Sequence, residues 1–379
     1  MRESEKTIVA TQIVELATPE RPLVLECGRT LPHLQVAFEA YGELSAAGDN
    51  AVYVCHALTG SAHAAFYNSP TEDRPGWWDG LIGRGKALDP DRYFIVCANL
   101  LGSCYGTTGP SSINPESGKP YAMDFPPVTT RDMVHVQKRL LDSLGIKQLA
   151  LVIGGSLGGM ITWQWLVEYP DFVRAAIPIA GTVQGSPWMI ALNEVARQAI
   201  YNDPEWQNGN YQGKGPAAGL ALARMIAMIS YRSHLQFHQR FARERVDPTQ
   251  ARELEFDNRF QVESYLHYQG QKLVQRFDAR AYIYLTKAMD LHDVSRGYGS
   301  LEEALARIKA RVLAIGIDSD VLYYPCELQA TVAQLRRMGK EAGYEEIHSI
   351  YGHDAFLVEY EQLNRLVTGF LQRRYSCAC

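Results

Sequence analysis

The chain predicts a doubly wound α/β core with a mostly parallel sheet, split by a helical insertion. Three observations lead there. Apolar runs of strand length recur through the first half, an amphipathic helical pattern separates two of them, and the buried-strand texture returns only after residues 187–295. The runs are Val52-Tyr-Val-Cys-His-Ala-Leu58, Tyr93-Phe-Ile-Val-Cys-Ala98 and Leu149-Ala-Leu-Val-Ile153. Such nearly continuous runs suit strands buried on both faces. Between the last two, residues 130–144 place apolar side chains at 133, 136, 140, 141 and 144, a helical stripe that Gly145 ends. Strand, helix, strand of this length builds a parallel α/β layer. Upstream, Leu23 to Tyr41 alternates like one or two antiparallel edge strands. From Pro187 the texture turns helical, rich in Arg, Gln, Tyr and Met. A strand is then expected within 307–317, a helix over 327–338, a short strand over 345–350 and a closing helix from about Ala355 to Arg373. The expected organisation is a core in two parts, 1–186 and 296–379, with 187–295 inserted as a helical lid.

Composition narrows the function classes. With 379 residues, 46% hydrophobic and 21% charged, the chain lies in the globular range and not the disordered one. Thirty-seven basic against 42 acidic residues leave a net charge of −5, so no nucleic-acid partner is expected. No run reaches the roughly 18 apolar residues that cross a bilayer; the nearest, Ala217 to Met228, is interrupted by Arg224. The opening MRESEKTIV lacks the apolar centre of a signal peptide, so a cytoplasmic location and no membrane association are expected. Seven scattered cysteines argue against a disulfide framework and for a reduced compartment. Cys377-Ala-Cys379 is a weak metal or redox hint at the tail.

Chemistry concentrates at Gly154-Gly-Ser-Leu-Gly158. The segment follows the strand 149–153 directly and opens onto a helical pattern from Met160 to Tyr169. G-x-S-x-G between strand and helix is a nucleophile elbow, a sharp turn that lifts Ser156 above the sheet while small residues let strand and helix pass closely. A serine needs a base, and the base an orienting acid; around such an elbow the chain order is Ser, then Asp or Glu, then His. Asp318 and Asp320 both follow the strand ending at Ile317, with a slight lean toward Asp320. His353 follows the last strand, whereas its rival His348 lies inside the strand pattern. An oxyanion needs two N–H donors. Leu157, next to the nucleophile, supplies one, and Leu58, in the His56-Ala-Leu-Thr-Gly60 loop, supplies the other. His56 and His63 fit structural roles better than metal ligation, since no H-E-x-x-H or C-x-x-C accompanies them, and no metal is expected. Arg224 inside an apolar helical run is costly if buried alone, and a carboxylate partner would offset that cost.

The phrases around these residues carry a family likeness. His56-Ala-Leu-Thr-Gly60, Asn99-Leu-Leu-Gly-Ser-Cys-Tyr-Gly-Thr-Thr-Gly-Pro-Ser-Ser-Ile-Asn-Pro115, Asp124-Phe-Pro-Pro-Val-Thr-Thr-Arg-Asp-Met133 and Gly154-Gly-Ser-Leu-Gly-Gly-Met160 lie in the first half. Phe277-Asp-Ala-Arg-Ala-Tyr282, Ala288-Met-Asp-Leu-His-Asp293 and Gly352-His-Asp-Ala-Phe-Leu357 follow. Together they resemble the α/β-hydrolase-type homoserine O-acetyltransferases of methionine biosynthesis. The resemblance implies the α/β-hydrolase fold with a helical lid, acetyl-CoA as co-substrate, L-homoserine as acceptor, no other cofactor, and a homodimer through the lid. It implies Ser156 as nucleophile, His353 as base and, through Ser319-Asp-Val-Leu322, Asp320 as acid. It further implies that Arg224 and Asp354 recognise homoserine and that Tyr231 lines that pocket. Two departures stand out: Leu157 where many relatives have Met, and Tyr323-Tyr324 in place of a more usual Phe-Pro. Succinyl-CoA as donor, serine as acceptor, or an esterase that delivers water remain the alternatives. Met225, Met228, Tyr231, Phe237 and Phe241 fit either the lid's own core or a dimer contact.

Overall fold

The computed structural model describes residues 6–249 and 254–372. Cys377 and Cys379 lie outside those residues. The sheet strands are β1 (Gln12–Ala17), β2 (Leu34–Tyr41), β3 (Ala51–Cys55), β4 (Phe94–Ala98), β5 (Leu149–Gly155), β6 (Ala175–Ile179), β7 (Arg311–Ile317) and β8 (Ala342–Ile347). Their spatial order is β1-β2-β4-β3-β5-β6-β7-β8. β1 and β2 join antiparallel, and every pair from β4 to β8 is parallel.

Burial on both faces explains why the parallel strands read as unbroken apolar runs. Successive side chains point to opposite faces. On β3, Val52 and Val54 join Ile95, Leu151, Ile153 and Ile177 in one core. Tyr53 and Cys55 join Val96, Val152 and Ala176 in the other. The second face is covered by α1 (Thr130–Ser143) and α2 (Leu157–Glu168). The first is covered by Trp78, Leu81 and Ile82 from the long β3–β4 connection and by Leu363, Val367 and Phe370 of the C-terminal helix Tyr360–Gln372. Helix α1 starts with a capping box: Thr129 accepts from the Asp132 N–H while the Asp132 carboxylate accepts from the Thr129 N–H at 2.9 Å.

Between β6 and β7 stand α3 (Pro187–Tyr201), α4 (Ala217–Tyr231), α5 (His234–Phe241), α6 (Gln261–Val274) and α7 (Ala279–Asp290). The buried Arg197 of α3 pairs with Asp290 of α7 at 2.6 Å. Met228, Phe241 and Tyr265 form a small core of their own with Tyr231 and Phe237 against it, so these apolar residues fill the lid.

Several boundaries differ from the sequence expectation. Leu23–Val24 pairs only with Thr30–Leu31 in a hairpin apart from the sheet, and the true edge strand is β1. β1 carries no buried-strand signal in the sequence, because of its six residues only Ala17 is buried. β6 was hidden by Pro178, which a central strand seldom tolerates. β8 ends at Ile347, earlier than expected. The closing helix starts at Tyr360, because Gly352–Leu357 forms a separate 3-10 turn. That turn carries His353.

Candidate active site

Ser156 occupies the N-cap of α2 with φ 61 and ψ −125, a left-handed conformation that few non-glycine residues adopt. The tight passage beneath it explains the flanking glycines. A Cβ on Gly154 would meet the Cys55 carbonyl at 2.6 Å, and one on Gly158 would meet the same oxygen at 2.1 Å. Substituting either would therefore push α2 away from β3 and tilt the elbow.

Asp320 follows β7, its N–H donating to the Ile317 carbonyl at 3.0 Å. Its Oδ1 accepts from the Leu322 and Tyr323 N–H groups at 2.8 and 3.0 Å, and its Oδ2 lies 2.7 Å from His353 Nδ1. Both side chains are nearly inaccessible, at 0% and 3% exposure. A carboxylate only accepts, so Nδ1 carries the proton and Nε2 presents a lone pair. Nε2 is buried and finds no protein partner among the described residues, while His353 and Ser156 line one cavity. The Tyr323 ring stacks on the imidazole at 5.1 Å. The rival pair falls together elsewhere: His348 Nδ1 lies 3.1 Å from Asp318 Oδ2 on the exposed rim.

The two proposed oxyanion donors also reach this region. Leu157 opens α2, where first-turn N–H groups have no helical partner. Leu58 sits on a turn closed by Gly60 N–H donating to the Ala57 carbonyl at 2.9 Å, and it lines the same cavity. His56 braces this loop. It is fully buried, with Nδ1 2.8 Å from the Ala57 carbonyl and Nε2 accepting from the Leu100 N–H at 3.2 Å; burial pushes its pKa down to about 4. His63 Nδ1 pairs with Glu39 at 3.0 Å. Among the described residues no group of three or more His, Cys, Asp or Glu gathers as a metal site.

Comparison with known proteins agrees with the fold. The family model for the α/β hydrolase fold matches residues 50–355. Homoserine O-acetyltransferase from Moorella thermoacetica is 54% identical over 366 residues, 96% of each chain. The chain belongs to the homoserine O-acetyltransferase family. Among solved structures, homoserine O-acetyltransferase from Bacillus anthracis superposes with TM-score 0.91 at 33% identity, over 98% of this chain and 99% of that one. Esterase E22 superposes with TM-score 0.88 at 31% identity, over 96% and 100%.

The residues that the homoserine O-acetyltransferase family likeness assigns to the acceptor also converge on the cavity, which measures ≈ 190 Å³ and is lined by Ser156, Arg224, Tyr231, His353 and Asp354. Arg224 is half-buried in the cavity wall and not in the protein interior as the apolar run implied, because that face of α4 looks into the cleft. Its guanidinium lies 5.4 Å from the Tyr231 ring centre, and no ion pair engages it among the described residues. Asp354 is already paired: Arg232 Nη2 reaches its Oδ2 at 3.0 Å. Sequence reasoning missed Arg232, Trp77 and Arg276. The last two line the cavity, and Arg232 caps α4. Only the adjacency of Arg232 to Tyr231 hinted at any of them.

In the role of base that the sequence assigns it, His353 would set a pH dependence. Burial pushes its pKa down, but the charge and hydrogen bond of Asp320 and the charge of Asp354 outweigh burial and hold it above its ordinary 6.5. A general base works deprotonated, so the rate rises with pH through that raised value. Asp354→Asn removes one of the raising charges and is expected to move the acid limb of kcat/KM to lower pH. The profile for a small acetate ester, which needs no amino-acid acceptor, checks this; an unmoved or alkaline-shifted limb refutes it.

Proposed function

We propose that this protein transfers the acetyl group of acetyl-CoA to the hydroxyl of L-homoserine through an acetyl-Ser156 intermediate. The observation that carries the reading is the meeting of an unpaired cation, Arg224, and an acidic group, Asp354, in one small cavity with Ser156 and His353. Arg224 suits the carboxylate of an amino acid and Asp354 its ammonium. In the first half-reaction His353 Nε2 takes the Ser156 proton as Oγ attacks the thioester carbonyl. The Leu58 and Leu157 N–H groups hold the oxyanion, and CoA leaves as its sulfur takes the proton. In the second, the homoserine hydroxyl gives its proton to His353 and attacks the acetyl-serine, and Ser156 recovers the proton as O-acetylhomoserine departs. Asp320 holds the tautomer and stabilises the imidazolium in both. This cycle needs no metal and no cofactor beyond the co-substrate.

A hydrolytic reading has one observation in its favour, the close superposition of esterase E22. Thiol release from acetyl-CoA separates the two. Release is expected to depend on homoserine and to match O-acetylhomoserine formed, and acetyl-CoA is expected to acylate the enzyme faster than succinyl-CoA. Thiol release that ignores homoserine would establish hydrolysis instead.

The proposal extends to a cytoplasmic enzyme that pairs through its lid. The five described cysteines are free thiols, as a reducing compartment keeps them. The adjoining helices α3, α4 and α6 leave Val195, Leu222, Ile229 and Tyr268 exposed. Leu222 and Ile229 lie seven residues apart on one face of α4. Ile229→Asp is expected to convert a dimer to a monomer in light scattering; an unchanged mass removes this face from the interface.

A further inference from the structure

Arg276 lies between α6 and α7, and the cycle above does not use it. Its side chain crosses from the lid to the core. Nη1 donates to the Thr59 carbonyl at 2.7 Å and to the Tyr105 hydroxyl at 2.6 Å, with Nη2 3.5 Å from Thr59 Oγ1. The Tyr105 ring meets Phe277 edge-on at 5.7 Å. Behind it, Asn99 accepts from the Ala62 N–H at 2.7 Å and donates to the Tyr105 carbonyl at 2.5 Å. The loop from His56 to Ala62 is thus held at its Ala62 end by Asn99 and at its middle, Thr59, by a lid arginine.

The connectivity inside the turn gives that contact a consequence. The peptide whose carbonyl accepts from Arg276 joins Thr59 to Gly60. Its N–H, that of Gly60, donates to the Ala57 carbonyl at 2.9 Å. The Ala57 carbonyl belongs in turn to the peptide whose N–H is that of Leu58. A guanidinium charge therefore heads a series of two peptides that ends on the N–H assigned to the oxyanion hole. Hydrogen bonds in series polarise one another, and a charged donor at the head strengthens the effect. The same contact restrains the turn, whose two corner residues are Leu58 and Thr59.

We infer that Arg276 is a positioning residue for the oxyanion hole: from the lid, it fixes and polarises the Ala57–Gly60 turn so that the Leu58 N–H points at the reacting carbonyl. The inference rests on the acyl-serine cycle proposed above and adds to it a physical link between lid and oxyanion donor. A lid displaced from the core would release Thr59 and loosen the hole.

The competing role for an exposed cation at the cavity mouth is to hold the phosphates of the acyl donor. A donor without phosphates separates the two. With 4-nitrophenyl acetate, Arg276→Met is expected to lower kcat about 10- to 100-fold, somewhat less than outright loss of an oxyanion donor, with KM nearly unchanged. Arg276→Lys keeps a charged donor within reach of the Thr59 carbonyl, so its rate should fall between the two. It also decides the matter should the methionine variant fold poorly. Overturning results are a full rate on the small ester in both variants, or an effect confined to KM for acetyl-CoA. A Ser156→Ala variant that kept its activity would instead defeat the acyl-serine cycle, so the two failures remain distinct.

Discussion

Ser156→Ala will lower the turnover of acetyl-CoA with homoserine by about 10⁶-fold and leave no acetylated enzyme in intact-mass spectra. The size follows from the chemistry. Without Oγ there is no nucleophile, His353 Nε2 has nothing to deprotonate, and what survives is the contribution of the oxyanion donors and of binding. Folding should be little affected. The strained turn is imposed by β5, α2 and the glycine contacts with Cys55, and alanine keeps the same backbone demand. Thermal unfolding within a few degrees of the parent, together with lost acylation, is the expected pair of results. An acetylated Ser156→Ala enzyme would place the nucleophile elsewhere.

Asp320→Asn should cost about 10⁴-fold in kcat while sparing the fold. The hydrogen bonds around the carboxylate specify the reason. Oδ1 accepts two backbone N–H groups, from Leu322 and Tyr323, so an asparagine will place its carbonyl oxygen there. Its NH₂ must then occupy the Oδ2 position, 2.7 Å from His353 Nδ1. A donor at that position turns Nδ1 into an acceptor and moves the imidazole proton to Nε2, where the base needs its lone pair. Steady-state rates with acetyl-CoA and homoserine measure the loss. A variant within tenfold of the parent would show that the pair does not set the tautomer.

The sharp turn at Ser156 was legible because its signal is local. An apolar strand, four small or tight-turn residues and an apolar helix lie within residues 149–169, and the constraint they satisfy is the passage of α2 past β3. That His353 pairs with an aspartate past β7 and shares a cavity with Ser156 was legible by chain order. Which aspartate was not, from pattern alone. Asp318 and Asp320 sit two residues apart in one loop, and what separates them is direction. Asp318 turns outward to His348, and Asp320 turns inward to His353. Arg224 illustrates a different limit. A charged residue in an apolar helix signals something unusual, but whether it is buried, solvated or facing a cleft depends on what stands across from it.

By itself, the sequence determined the α/β class, the helical insertion and the sharp strand-to-helix turn at Ser156. These follow from periodicity and steric punctuation over short stretches of chain, where each residue's demand falls on near neighbours. Only the tertiary structure decided the contacts themselves: that Asp320, which the family likeness had singled out, turns to His353 while Asp318 pairs with His348, that Arg232 occupies Asp354, and that Arg276 ties the insertion to the Ala57–Gly60 turn. Those choices are made between residues far apart along the chain, Arg276 and Thr59 by 217 positions, and the pairings exist only once the sheet order has brought the loops to one edge. A charge or hydrogen bond carries no mark of its partner in the local sequence; the fold supplies the partner and the burial that gives the contact its strength.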